Sequence, residues 1–391
     1  LIIMGFCHFG SLIKFIPYTI TTGFTSGIAV TIVIGQLKDF CGVTYPDGVK
    51  PIETMEKLKA FAENFSTISP DALIVGGVSL AILIVSPLIF KRIPGSLIAV
   101  IVGILMVQFL PLHVSTIGNL YTISNALPTL HLPVFDMKLI QSAIPNAFTI
   151  AVLAAIESLL SCVVADGMIN SKHRSDTELI AQGAGNIASA LFGGIPATGA
   201  IARTAANIKN GGRTPVAGIV HSITLVIVLV VLMPFAGMIP MPTIAAILFL
   251  VAYNMCQWRT FVHLVRTAPK SDIIVLFTTF VLTVVFDLVV AIEIGMVLAC
   301  LLFIKRMSEE THADSWVYVD DDSPAVDEHL QKLPLEIRVY EITGPLFFGA
   351  ADAIEHIVVK DFTKCLVLRM RSVPTIDSTA MNALQNLTKL C

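Results

Sequence analysis

Apolar runs too long for the interior of a small soluble domain recur through the first 306 residues, and they constrain the fold more than any other feature of the chain. Leu73–Phe90, Gly95–Leu112 and Pro215–Met233 together hold a single ionisable side chain, His221. A helix needs ~20 largely apolar residues to cross the hydrocarbon core of a bilayer, and shorter runs cross only when neighbouring helices shield them. Ten segments meet that description: Ile16–Leu37, Leu73–Phe90, Gly95–Leu112, Pro145–Ala165, Leu179–Phe192, Ile195–Asn207, Pro215–Met233, Pro240–Met255, Ile273–Phe286 and Leu288–Ile304, after a stub at Leu1–Ile13. Only 14% of the chain is charged, against about 25% in a soluble protein, so a water-soluble enzyme is excluded.

The ionisable residues are unevenly spread. Residues 307–391 carry 14 acids and 7 bases, while the preceding 306 carry about one ionisable residue in ten. A soluble piece therefore follows the membrane part. The net charge of −3 offers no basic stripe for nucleic acid, and the seven cysteines lack the paired spacing of a disulfide framework or zinc site. No metal site and no cofactor is expected. The chain opens at Leu1 in an apolar stretch without an initiator methionine and closes at Cys391 in a helical pattern, so both ends read as cuts in a longer protein.

Threading the spans alternately puts twelve bases on one side of the bilayer: Lys14, Lys91, Arg92, Lys172, Arg174, Lys209, Arg213, Arg259, Arg266, Lys270, Lys305 and Arg306. The other side receives Lys38, Lys50, Lys57, Lys59 and Lys138, mostly diluted by acids such as Asp39, Asp47 and Glu53. Cytoplasmic loops carry the excess of Lys and Arg, so the basic side is cytoplasmic and the C-terminal piece lies there. The parity requires Ile195–Asn207 to count as a crossing.

That segment is unusual. Gly193-Gly194-Ile195-Pro196-Ala197-Thr198-Gly199 does not sustain a helix, whereas Ala200–Asn207 does, which predicts extended backbone followed by a half-helix. Broken backbone at membrane depth survives only where it lines a cavity or is buried in protein. A Gly/Pro loop between two ordinary helices is the competing reading.

Glu157 falls in the middle of Pro145–Ala165, where a charged acid costs about 2.5–3.5 kcal/mol on insertion scales. It must face a wet cavity, find a partner or stay protonated. Ser161 lies four residues on and shares its face, so a carboxylate and a hydroxyl point together toward a proton or sodium ion; a helix-to-helix hydrogen bond is the alternative. Arg203 lies in the first turns of the half-helix, whose free N–H groups carry partial positive charge. With Thr198, Gly199, Ala200 and Ala202 around that terminus, it forms a candidate anion site suited to planar oxyanions. Neutralising Glu157 or snorkelling to the cytoplasmic face are the competing roles for Arg203. Asp166 and Asp287 read as solvated helix ends, and Glu293, His221 and Asn146 as structural.

The runs Ala155-Ile156-Glu157-Ser158-Leu159-Leu160, Ala165-Asp166-Gly167-Met168, Gln182-Gly183-Ala184-Gly185-Asn186, Gly193-Gly194-Ile195-Pro196-Ala197-Thr198 and Ala202-Arg203-Thr204-Ala205-Ala206-Asn207, in that order, closely resemble the sulfate permease (SulP) family of anion transporters. The match continues through Ala268-Pro269-Lys270-Ser271-Asp272 and Phe286-Asp287-Leu288-Val289. The resemblance implies an all-α polytopic membrane domain of fourteen segments in two inverted repeats of seven, with half-helices at the midplane, followed by a cytoplasmic α/β STAS domain. On that pattern the chain begins at the end of segment four, lacks segments one to three, and would not transport as it stands. Phe15-Ile16-Pro17 and Met238-Ile239-Pro240 form a weak echo of the repeat. The domains become residues 1–306 (transport), 307–334 (linker) and 335–391 (a truncated STAS domain).

The resemblance also implies roles: Glu157 for the coupling ion, Arg203 for the anion. The longer acid, where sodium-coupled relatives resemble Ile-Asp-Ser, suggests a proton. Similarity in appearance to bacterial C4-dicarboxylate transporters makes proton-coupled uptake of dicarboxylate or sulfate by alternating access the expected function. Sodium-coupled bicarbonate transport and an anion channel on the same fold are the alternatives. The expected setting is the inner (plasma) membrane, multi-pass, among lipid, as a homodimer whose STAS domain meets a cytoplasmic protein partner. In that domain Glu336–Tyr340 and Leu366–Met370 read as strands, and Asp377-Ser378 as the start of a helix. Ser378 matches the phosphorylated serine of related anti-sigma antagonists, though a helix cap explains the pair equally well.

Overall fold

The computed structural model describes residues 1–11, 17–46, 48–89, 93–122, 126–132, 136–286, 288–315, 336–355, 357, 359, 361 and 363–391. Lys14, Phe15, Ile16, Asp47, Lys91, Arg92 and Asp287 lie outside the described residues, as does most of the 307–334 stretch. The chain divides into two compact units, Leu1–Met296 and Val297–Cys391.

The helices are α1 (Ile2–Phe6), α2 (Tyr18–Cys41), α3 (Thr54–Glu63), α4 (Pro70–Ile89), α5 (Gly95–Phe109), α6 (Ile117–Leu120), α7 (Met137–Ile169), α8 (Ser175–Leu191) and α9 (Ile201–Lys209). They continue as α10 (Val216–Ile227), which runs through a π-helical turn at Val228–Leu232 into α11 (Met233–Ala236). Then come α12 (Met241–Cys256), α13 (Trp258–Thr267), α14 (Lys270–Val285) and α15 (Leu288–Glu309). Every expected span has a helical counterpart. The expected Ile195–Asn207 span shortens to α9, because Pro196 and the surrounding glycines keep the chain out of helix until Ala200. Conversely, α7 begins eight residues before Pro145 and passes through it. Asp136 sets that start: its side chain accepts the Lys138 N–H at 3.0 Å. The amphipathic α3 and α13 escape a hydropathy reading because half of each surface is polar.

In the first unit α2 packs against α12 and α14. Small and hydroxylic residues make this close approach possible. A side chain at Gly23 would meet the Leu276 carbonyl at 2.6 Å, and one at Gly27 would meet Thr283 at 2.6 Å. Thr22, Ser26, Thr279 and Thr283 are buried at the same seam. In an apolar slab such hydroxyls favour carbonyl acceptors, and three of the four have one: Thr22 Oγ1 donates to Tyr18 O at 2.9 Å, Ser26 Oγ to Cys256 O at 2.7 Å and Thr283 Oγ1 to Thr279 O at 2.7 Å, whereas Thr279 Oγ1 has no partner among the described residues. Pro17 and Pro240 precede α2 and α12 with the same extended backbone, φ −61°, ψ 142° and φ −70°, ψ 139°, so the two proline-led entries noted in the sequence become equivalent helix starts.

The second unit contains the cytoplasmic end of α15 and a three-stranded sheet. Strand β1 (His312–Ser315) runs antiparallel to β2 (Ile337–Thr343), and β2 runs parallel to β3 (Cys365–Ser372). Strand β1 lies within the stretch the sequence reads as linker. The β2-to-β3 crossover carries α16 (Asp352–Glu355), and α17 (Ser378–Leu390) follows β3. Tyr340, Ile342, Leu346, Ile354, Ile357, Ala380 and Leu387 form the core under the sheet.

Candidate functional site

The site is built on α7. Its second half presents Ala154, Ala155, Ile156, Ser158, Leu159 and Ser161 to the interior. Ile156 packs with Phe24 and Ile292, while Ala155 and Leu159 pack with Leu179 of α8. The reversal between α7 and α8 is pinned by polar groups. Asn170 takes the left-handed conformation, and Asp166 Oδ2 accepts the His173 N–H at 3.1 Å and lies 2.7 Å from His173 Nδ1. Ser175 Oγ lies 2.9 Å from His173 Nε2. Asp166 is thus a structural anchor for the turn, and only part of it meets solvent.

After α8 the chain turns at Gly193, whose φ of +73° favours glycine. It then runs outside helix and strand through residues 194–199 to Ala200, whose backbone is extended. This segment lies on α7: Thr198 Oγ1 donates to Ala154 O at 3.0 Å, and a Cβ on Gly199 would stand 3.2 Å from Ser158 Cα. Ala200 caps α9 in extended backbone, and the first bond of the half-helix is Thr204 N–H to Ala200 O at 2.9 Å. The amides of Ile201, Ala202 and Arg203 therefore have no intrahelical acceptor, which is the standard anion-binding arrangement of a helix start. Ser161 Oγ donates to Thr204 Oγ1 at 2.8 Å and ties α9 to α7.

Thr198, Gly199, Ala200 and Arg203 are thereby assembled beside the Glu157–Ser161 stretch of α7; Ala202 shares the same turn. Glu157 is half-buried and makes no hydrogen bond or ion pair among the described residues. Arg203 is exposed and forms no ion pair with Glu157 among them, so neutralising Glu157 is not its role here. Ser161 spends its proton on Thr204 and not on Glu157. Glu293, His221 and Asn146 are exposed, and Glu293 makes no hydrogen bond among the described residues, while Ala291, Ile292 and Gly295 occupy the packed side of α15. Ser378 is exposed at the first turn of α17, while Asp377 accepts the Ala380 N–H at 2.8 Å and the Phe348 N–H at 2.8 Å. Among the described residues no cluster of three His, Cys, Asp or Glu side chains is suited to a metal.

Four participants were not singled out as functional from sequence. Glu178 accepts from Ser158 Oγ at 2.6 Å, Thr204 receives Ser161, and Gln182 and Asn186 bond the backbone of Ala197. The last two stood inside a run that had carried the family resemblance, but nothing in local spacing connects them to a segment more than ten residues away.

The model of the sulfate permease family matches residues 1–279, and that of the STAS domain matches residues 331–391. The chain belongs to the sulfate permease family. YvdB of Bacillus subtilis, provisionally named a sulfate transporter, is 37% identical over 399 residues, which cover 99% of this chain and 72% of that protein. The bicarbonate transporter BicA of Picosynechococcus is 34% identical, covering 98% of this chain and 69% of that protein. Among solved structures, the murine Solute Carrier 26 family member A9 anion transporter in its inward-facing state superimposes with a TM-score of 0.84 at 19% identity, covering all of this chain and 65% of that one. The transmembrane domain of a cyanobacterial BicA gives 0.62 at 29% identity, over 76% of this chain and 72% of that one. The chain therefore spans about two thirds of the length of the proteins it matches. It is a multi-pass membrane protein of an anion-transporter family, not of an enzyme family, with its STAS domain on the cytoplasmic side. The names of these relatives point to sulfate and bicarbonate, and none supports the C4-dicarboxylate expectation.

Proposed function

We propose that this chain serves a secondary active transporter for a small oxyanion, sulfate or bicarbonate, working by alternating access in the inner membrane. The observation that carries the reading is the half-helix. A non-helical segment bonded to α7 through Thr198 delivers three free amides and Arg203 beside the Glu157–Ser161 stretch of α7. The helix start and guanidinium hold the anion through Thr198, Gly199, Ala200, Ala202 and Arg203. Glu157 and Ser161 take the coupling ion, which lowers the cost of moving a carboxylate through a dry site. Sulfate and bicarbonate are preferred to dicarboxylates because the relatives bear those names. In this reading residues 1–306 transport, residues 335–391 together with strand β1 form the STAS domain, two copies associate, and a cytoplasmic protein meets the STAS domain near Ser378.

The test is uptake by the full-length protein in liposomes, with labelled sulfate and bicarbonate and imposed pH or sodium gradients. Accumulation against the anion gradient is expected, and flux that only follows the gradient would indicate a channel. Arg203→Ala is expected to weaken anion affinity, and Glu157→Gln to abolish dependence on the driving cation. Unchanged affinity in the first, or undiminished driven flux in the second, removes the corresponding role.

A further inference from the structure

One face of α8 is a polar ladder at helical spacing. Glu178, Gln182 and Asn186 succeed one another at four-residue intervals, with Ser189 three further on. Each rung meets the site's scaffold. Glu178 accepts from Ser158 Oγ of α7, Gln182 Nε2 donates to Ala197 O, and Ser189 Oγ donates to Ile195 O at 3.0 Å. Asn186 does the most: its Oδ1 accepts the Ala197 N–H at 2.7 Å and its Nδ2 donates to Ala197 O at 2.8 Å. One side-chain amide thus replaces the neighbouring strand that an extended segment normally requires, because a free N–H and C=O at membrane depth are expensive. A second Asn186 Nδ2 bond to Gln182 O at 2.9 Å fixes the amide to its own helix.

We propose that Asn186, supported by Gln182, is a positioning residue for anion binding: it sets where the start of α9 stands. The argument is one of distance along the chain. Ala197 lies three residues before the Ala200 cap, so an error in its placement passes directly to the free amides of Ile201–Arg203. Asn186 itself lies on α8 and holds the segment by its backbone, so it controls the geometry of the anion site without contributing a ligand. The inference rests on the reading of the half-helix as the anion site.

The experiment uses the full-length protein with sulfate and bicarbonate as probes, measuring KM and maximal rate in liposomes for Asn186→Ala, Asn186→Asp and Arg203→Ala. Asn186→Ala is expected to raise KM roughly tenfold, as for loss of one or two net hydrogen bonds, while the maximal rate moves less. Asn186→Asp keeps the acceptor for the Ala197 N–H and loses the donor, so an intermediate KM is expected. Hydrogen exchange over residues 194–200 supplies a readout independent of transport, with faster exchange expected in Asn186→Ala. Should the alanine variant fail to fold, Asn186→Asp and Gln182→Glu carry the same comparison. Wild-type KM in variants whose exchange has accelerated would overturn the positioning role. If Arg203→Ala also leaves KM unchanged, the anion-site reading itself has failed; if only the Asn186 and Gln182 variants are silent, that reading stands and this inference falls.

Discussion

Replacing Gly199 by valine gives the sharpest test of how the segment before α9 sits on α7. Gly199 does not adopt a left-handed conformation, so its need for glycine is purely one of space. A Cβ there would lie 3.2 Å from Ser158 Cα, 3.5 Å from Ser158 Oγ and 3.6 Å from Ser161 Cβ. The nearest of these is the backbone of buried Ser158 and cannot rotate aside, so alanine already requires the segment to withdraw by a few tenths of an ångström. Valine places two further carbons toward the same surface. Overpacking of this kind costs about 1–3 kcal/mol. If the segment relieves it by lifting off α7, the free amides of α9 move with it and anion affinity falls by about fivefold to about 150-fold. The assay is concentration-dependent sulfate and bicarbonate uptake for wild type, Gly199→Ala and Gly199→Val, with thermal unfolding of the same preparations as a control. A graded loss, alanine milder than valine, is expected. Wild-type KM and melting temperature in Gly199→Val would refute the close seating of the segment.

Other expectations address the periphery. Asp377→Ala removes the cap of α17 and the acceptor of the Phe348 N–H, so it is expected to destabilise the STAS unit by about 0.5–2 kcal/mol. Hydrogen exchange over the first turns of α17 checks this, and unaltered protection there would contradict it. Asp176 holds His8 and the Gly10 N–H, and the His8 hydrogen bond keeps its carboxyl below the ordinary value of 3.8. A carboxyl lowered on folding contributes stability that is complete above its unfolded value and is lost as pH falls through the lowered folded one. The acid limb of a melting-temperature profile is therefore expected to flatten in Asp176→Asn, and an unchanged limb would dismiss the contact.

The membrane spans were legible because hydropathy is a property of single segments, and the break at Gly193–Gly199 was legible because Pro196 and paired glycines forbid a helix locally. The partners were not. Helical spacing makes Ser161 a companion of Glu157 on one face, but its hydroxyl bonds Thr204, 43 residues away. Ser158 had no assigned partner until α8 brought Glu178 within 2.6 Å. Periodicity along α7 tells which residues share a face; it does not tell which helix that face meets. The π-helical turn at Val228–Leu232 and strand β1 were invisible for a related reason, since neither has a residue pattern distinct from its surroundings.

The proposed anion site must be stiff in position and yet unsatisfied in valence, and the segment before α9 reconciles the two by taking its hydrogen bonds from side chains of α8 and the backbone of α7. Ala197 gives both its polar groups to Asn186, Ile195 its carbonyl to Ser189, and Thr198 its hydroxyl to Ala154 on α7. Nothing comparable covers the first amides of α9 within the helix itself, because the first available acceptor, Ala200 O, is taken by Thr204. Side chains of α8 and the backbone of α7 thus fix the segment and leave the open donors of the half-helix for a ligand. Affinity should accordingly be as sensitive to residues that never touch the anion as to Arg203, which is the reason the Asn186 and Gly199 variants are more informative than further substitutions at the guanidinium.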